Sequence, residues 1–283
     1  MSVLTLLTEY LSRPMVKNAL IVGTLIALCA SLLGTTIVLK RLSFIGDGLS
    51  HVAFGALCIA MMLSITDKMI IVLPITVLVA VILMGSSDNK KIKGDAAVAM
   101  LSVGALAFGY LLLNKFPGKG NGNVYGDVCS TLFGSMSIMT LSNMDVIICI
   151  VLSVIVVIFF IAFYNRIFSV TFDENFAAAP GIRNNLYKLL LSVIIAVVIV
   201  LSMQLVGSLL ISALIVFPVL SAQRIFKSFL SVVISSATLG VLCAIVGIIA
   251  SIIFSTPIGA TVVCVNILVF FVCFLFGKLF QGK

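Results

Sequence analysis

An all-α fold, a polytopic membrane helix bundle of about eight to nine transmembrane helices, is what this sequence predicts, on three grounds. Apolar residues fill 62% of its 283 positions and charged residues only 9%, against roughly 25% charged in soluble domains. Mean hydropathy is correspondingly high, at +1.36. The apolar residues also gather in runs near the roughly 20 residues a helix needs to cross a hydrocarbon core, and such runs recur from Asn18 almost to the C-terminus. A soluble enzyme held by a single anchor is excluded.

Charges and turn residues divide the chain into runs near 18–39, 47–66, 69–87, 95–113, 146–164, 189–206, 207–222, 231–254 and 259–277. Only Gly207 separates the sixth run from the seventh, and a fused or re-entrant arrangement there would lower the count by one. The stretch DVCSTLFGSMSIMTLSN at 127–143 is apolar, rich in Ser and Thr, and too short to cross. It reads as a half-membrane or interfacial helix shielded by its neighbours, since unpaired backbone is not tolerated against lipid. The whole chain, 1–283, reads as a single transmembrane domain. The opening MSVLTLLTEYLSRP lacks the basic start and small-residue cleavage site of a secretory signal.

The 17 Lys and Arg give a net charge of +8, but they sit in short clusters between apolar runs and describe no basic face for nucleic acid. Read as topology signals, Arg13, Lys17, Lys68, Lys115 and Lys119 fall on one side of the membrane and the other twelve on the opposite side. The positive-inside bias then puts residues 1–17 outside as a short extracellular segment, and the C-terminus in the cytoplasm. The Gly- and Asn-rich stretch 114–127 becomes an outer loop, and 165–188 a cytoplasmic one. Within the latter, Phe172, Phe176 and Ala179 can line one side of a short helix ended by Pro180 and Gly181. Such a helix is either a docking element or a plain connector.

Ionisable residues inside a span are costly and mark function unless a partner explains them. Here they are few. His51, the only histidine, stands four residues after Asp47 in GDGLSHVAFGALCIAMM, at the start of the second run. Residues four apart share a helix face, so a carboxylate oxygen and an imidazole nitrogen can meet one borderline cation, as paired histidines at this spacing do with zinc. Two ligands are half a coordination sphere, and structural roles stay open: Asp47 as a helix cap, His51 as an interhelical hydrogen-bonding group. Asp95, at the start of the fourth run, offers a third ligand or another cap. Asn266, Gln204 and the buried Ser and Thr fit interhelical hydrogen bonding. The seven Cys have neither zinc-site nor redox spacing and read as small packing residues. GKGNGN at Gly118 lacks the spacing of a phosphate loop, so ATP hydrolysis is not expected of this chain. No nucleophile with a base and an orienting acid can be assembled, which argues against an enzyme, and the spans hold too few acids for a proton relay.

Four stretches, in order, resemble the permeases of ATP-binding-cassette importers for zinc, manganese and iron. They are TIVLKRLSFIGDGLSHVAFGA at 36–56, DVCSTLFGSMSIMTLSNMD at 127–145, FDENFAAAPGI at 172–182 and VGSLLISALIVFPVLSAQR at 206–224. The first looks like that family's run of a basic pair, an aromatic, Gly-Asp and a His four residues on. The resemblance extends from about Asn18 onward. Two positions depart from it: Asn175 stands where an acid is common, and Gln223 separates Ala222 from Arg224 where the family often has Arg directly after the Ala.

The resemblance implies that Asp47 and His51 handle a transported divalent metal, zinc or manganese before iron, with no permanently bound cofactor and no catalytic residue. It also implies that Phe172, Asp173, Ala177, Gly181, Ala222 and Arg224 couple to an ATPase, through cytoplasmic regions near 165–188 and 221–230. The implied partners are cytoplasmic ATP-binding-cassette ATPase subunits, an extracellular metal-binding lipoprotein, a second copy of the chain and membrane lipid, in a bacterial plasma membrane. Two other functions would suit a bundle of this composition: an ion-coupled metal carrier or channel, and a permease for metal chelates such as haem or siderophores. In the latter, Asp47 and His51 would be dispensable.

Overall fold

The computed structural model describes residues 13–86, 94–115, 141–172 and 184–281. Ten helices and no strand occur among them: α1 (Pro14–Leu39), α2 (Ile45–Met62), α3 (Met69–Ser86), α4 (Gly94–Lys115), α5 (Asn143–Ala162), α6 (Tyr164–Phe172), α7 (Asn184–Val206), α8 (Ser208–Ile225), α9 (Phe229–Phe254) and α10 (Ile258–Gln281). Eight of these, all but α3 and α6, are long and apolar enough to cross a membrane, and α3 is equally apolar but just short of that length. Each of the nine runs expected from sequence therefore has its helix. The expected half-membrane helix lies outside the described residues over 127–140, as does the expected short helix beyond Phe172.

Local chemistry sets the boundaries. Pro14 occupies the first turn of α1, where its missing N–H costs nothing. Ser142 and Asp145 form a reciprocal capping box at α5, with the Ser142 N–H donating to Asp145 Oδ2 at 2.9 Å and the Asp145 N–H to Ser142 Oγ at 3.3 Å. The doubt at Gly207 resolves as a break and not a fusion: its φ of 92° is open to glycine and strained for other residues, so α7 stops and α8 restarts within one residue.

α1 and α8 form the centre. α1 packs against α5, α7, α8 and α9, and α8 against α1, α2, α7, α9 and α10. Leu33, Ile37, Ile211, Leu214 and Ile215 are all fully buried along this axis. Outward, α4, α5, α9 and α10 expose Met100, Leu111, Ile161, Leu242 and Leu268, a surface inside-out by the standard of water-soluble proteins and suited to lipid. Five of the six described cysteines are buried in helix contacts.

One element was not expected. α6 lies within what the sequence reads as a connection, and its inward residues are Ile167 and Val170. The signal was present in Tyr164, Phe168 and Phe172, three aromatics at fourfold spacing that extend the apolar period past the end of the span.

Candidate metal centre and inner-face residues

α2 opens with Ile45, Gly46, Asp47 and Gly48. Successive residues turn by about 100° on a helix, so the two glycines face different neighbours and Asp47 looks out between them. A Cβ on Gly46 would lie 3.0 Å from Ile215 Cδ1 and 3.6 Å from Ser212 Cα, both on α8. A Cβ on Gly48 would overlap Val98 Cγ1 of α4 and come within 3.3 Å of Ser102 Oγ. Close approach on both flanks thus fixes the direction in which Asp47 leaves the helix. The same α2–α4 seam continues upward, where a Cβ on Gly55 would sit 3.0 Å from the Ala105 carbonyl oxygen. The two helices run parallel.

One turn on, His51 brings Nε2 to 3.4 Å from Asp47 Oδ2. Asp47 is about half exposed, at 48%, and His51 mostly covered, at 20%. The N-cap position of α2 belongs to Phe44 and carries no side-chain cap bond, so Asp47 is not the cap. His51 Nδ1 is buried without a hydrogen-bond partner among the described residues. Asp47 and His51, with Phe44, line one wall of a cleft of about 190 Å³, and Ala99, Ser102, Val103 and Leu106 of α4 line the other. At about 30 Å³ per water, the cleft has room for a small cation with several waters.

A carboxylate and a neutral imidazole on one wall supply one oxygen and one nitrogen donor to a borderline divalent ion. No group of three or more His, Cys, Asp or Glu able to hold a metal occurs among the described residues. The pair is therefore half of a coordination sphere. Asp95 stands in the first turn of α4, one turn before Ala99; its Oδ1 is buried with no partner among the described residues, and it is not part of the cleft lining. Sequence reasoning missed Phe44 and Ser102 as lining residues, because no local period encodes the packing of α4 against α2.

The other singled-out residues lie apart from this cleft. Phe172 ends α6 and is exposed, with its ring centroid 5.0 Å from that of Phe168. Ala222, in the last turn of α8, is fully buried against Val38 of α1 and Val232 of α9. Arg224 places its Cζ 5.1 Å from the Phe274 ring centroid of α10, a cation–π distance. A Cβ on Gly277 would lie 2.7 Å from the Arg224 carbonyl oxygen, so the end of α8 is closely backed by α10. Asp173, Ala177 and Gly181 lie outside the described residues.

Residues 12–277 match the ABC 3 transport family. The chain belongs to that family. Relatives within it span nearly the full length. The manganese import system permease protein ScaB of Streptococcus gordonii is 28% identical over 258 residues, 91% of this chain and 90% of its own. The high-affinity zinc uptake system membrane protein ZnuB of Haemophilus influenzae is 26% identical over 252 residues, 89% of this chain and 94% of its own. A solved structure, PsaBC from Streptococcus pneumoniae in complex with Fab, has a chain that superposes with a TM-score of 0.80 at 26% identity, covering 96% of this chain and 95% of that one. As a member of the ABC 3 transport family, the chain is a multi-pass membrane transport protein, in keeping with its eight long apolar helices.

Proposed function

We propose that this chain is the membrane-spanning permease of an ABC importer that carries a divalent metal, manganese or zinc before iron, into the cytoplasm. The observation that carries the reading is the Asp47–His51 pair, 3.4 Å apart on the wall of an open cleft, in a chain whose relatives are named for manganese and zinc. ATP hydrolysis belongs to separate subunits. A two-donor pair becomes a fuller coordination sphere when a second copy faces it with the same two side chains, which supports a pathway between two permeases. Incomplete ligation within each copy also suits passage, because a transport site must release what it binds.

With α3 counted as a ninth crossing beside the eight longer helices, the termini fall on opposite sides, and the Lys and Arg bias supports an outer N-terminus and a cytoplasmic C-terminus. The exposed residues from Arg224 to Ser228 and the segment following Phe172 then face the cytoplasm, where Phe172, Asp173, Ala177, Gly181 and Arg224 meet the ATPase, backed by buried Ala222. An extracellular metal-binding protein delivers the ion on the other side. A chelate permease is disfavoured because such a cargo would leave the paired Asp47 and His51 without a role.

Uptake of radiolabelled manganese and zinc by cells lacking the gene tests this reading. Loss of uptake of one metal, restored by the gene supplied in trans, is the expected result; unchanged uptake of both metals overturns it. For docking, Arg224→Ala is expected to lower co-purification of the ATPase with the permease severalfold. Full co-purification with full transport would make the end of α8 a passive connector.

A further inference from the structure

Phe229 is the first residue of α9 and, unlike its exposed neighbours Lys227, Ser228 and Leu230, is buried. Three rings from one face of α6 surround it: Tyr164, Phe168 and Phe172 have centroids 5.6, 5.3 and 5.8 Å from its own. The backbone of α6 packs on α1, α5 and α7, and α6 meets α9 side chain to side chain, through these rings and a buried cluster of Phe160, Ile167, Phe229 and Val233. Phe172 ends α6 within one proposed coupling region, 165–188, and Phe229 follows the exposed turn of the other, 221–230. The Phe172 ring meets the Phe229 ring edge-on at 83°. Two stretches more than 50 residues apart in sequence thus meet around Phe229, which all three α6 rings approach within that buried cluster.

We propose that Phe229 is a positioning residue for energy coupling, clamping α6 to the α8–α9 hairpin so that the two inner-face segments move as one body. This rests on the reading that both segments face the ATPase. The ring cluster lies away from the metal pair, but the hairpin reaches the residue beside it. α8 backs the first turn of α2, with Ile215 Cδ1 in the space a Cβ on Gly46 would enter, one residue from Asp47. A displacement delivered to α6 or to the turn before α9 is therefore passed to α8 as a shift of a packed helix and reaches the Asp47 wall of the cleft. Without the Phe229 ring, α6 loses its aromatic hold on α9, and ATP is spent without opening the cleft.

The test uses the complete transporter, permease and ATPase together, reconstituted in proteoliposomes, with manganese(II) and zinc(II) as probes and the ratio of ions moved to ATP hydrolysed as the readout. Phe229→Ala is expected to lower that ratio about tenfold while the ATPase still co-purifies and hydrolyses ATP within about twofold of wild type, a split that a general loss of fold would not produce. Phe229→Tyr, which keeps the ring, should restore the ratio. Where Phe229→Ala fails to assemble, Phe168→Ala approaches the same contact from a more exposed ring, and a cycle with Phe229→Leu should give a double variant no worse than the poorer single one. Additive losses, or a wild-type ratio in Phe229→Ala, overturn the proposal. A wild-type complex that moves neither metal would instead overturn the importer reading, and so the two failures are distinguishable.

Discussion

Alanine at either Asp47 or His51 is expected to cut metal uptake roughly tenfold to a hundredfold at matched expression, the scale on which metal sites respond to lost ligands and their supporting groups. The loss should be functional and not structural. Asp47 is half exposed and caps nothing, and its neighbours Gly46 and Gly48, not its own side chain, make the contacts that seat α2. His51→Ala removes a mostly covered ring whose one polar contact among the described residues is Asp47 itself. Each variant should therefore reach the membrane, bind the ATPase and melt near the wild-type temperature. Asp47→Glu, which keeps an oxygen donor on a longer arm, should retain more uptake than Asp47→Asn, which keeps the shape and loses the charge. Uptake assays with radiolabelled metal, beside thermal unfolding of the purified protein, check both halves. Wild-type uptake in both alanine variants would leave the cleft without a metal role.

The parts of this molecule legible in sequence were those written in hydrophobicity and helical spacing. Nine apolar runs became nine helices because lipid leaves a spanning backbone almost no other way to satisfy its hydrogen bonds. The Asp47–His51 pairing was likewise visible, since a separation of four on a helix dictates a shared face. What lay across from the pair was not visible. That α4 supplies the second wall depends on Gly48 and Gly55 admitting Val98 and Ala105, a contact between segments 50 residues apart that no local period encodes. α6 was missed for a different reason. Nine residues with two buried side chains make too short a pattern to distinguish from the tail of α5, and only the ring of Phe229, more than 50 positions on, shows why its aromatic face is there. Ala222 keeps its methyl enclosed between α1 and α9, while its neighbours on the exposed turn are open to a partner, a difference in depth that a motif does not encode.

The larger effect on the fold itself is expected at Gly34, in the α1 face that meets α8. A Cβ there would overlap the carbonyl oxygen of Ile215 and lie 3.0 Å from its carbonyl carbon and 3.2 Å from its Cα. All three atoms are backbone within a helix, so no rotamer change relieves the clash, and α1 must move away from α8. Alanine normally gains up to about 1 kcal/mol over glycine inside a helix, but overpacking a filled interior costs about 1–3 kcal/mol, and parting two central helices also loosens Leu33, Ile37, Ile211 and Leu214 together. Sterics should decide the sign, with Gly34→Ala melting well below wild type and Gly34→Leu failing to accumulate. Gly104, on the lipid side of α4, has nothing within 4 Å of its missing Cβ, so Gly104→Ala should be neutral or slightly stabilising. The comparison separates the two glycines by packing alone. Since Ile215 also abuts Gly46 beside Asp47, the Gly34→Ala protein that does fold should transport less than its stability alone would imply. Thermal unfolding and uptake measured on the same preparations check this, and a Gly34→Ala variant that melts with the wild type would mean that α1 and α8 are not in backbone contact at this level of the membrane.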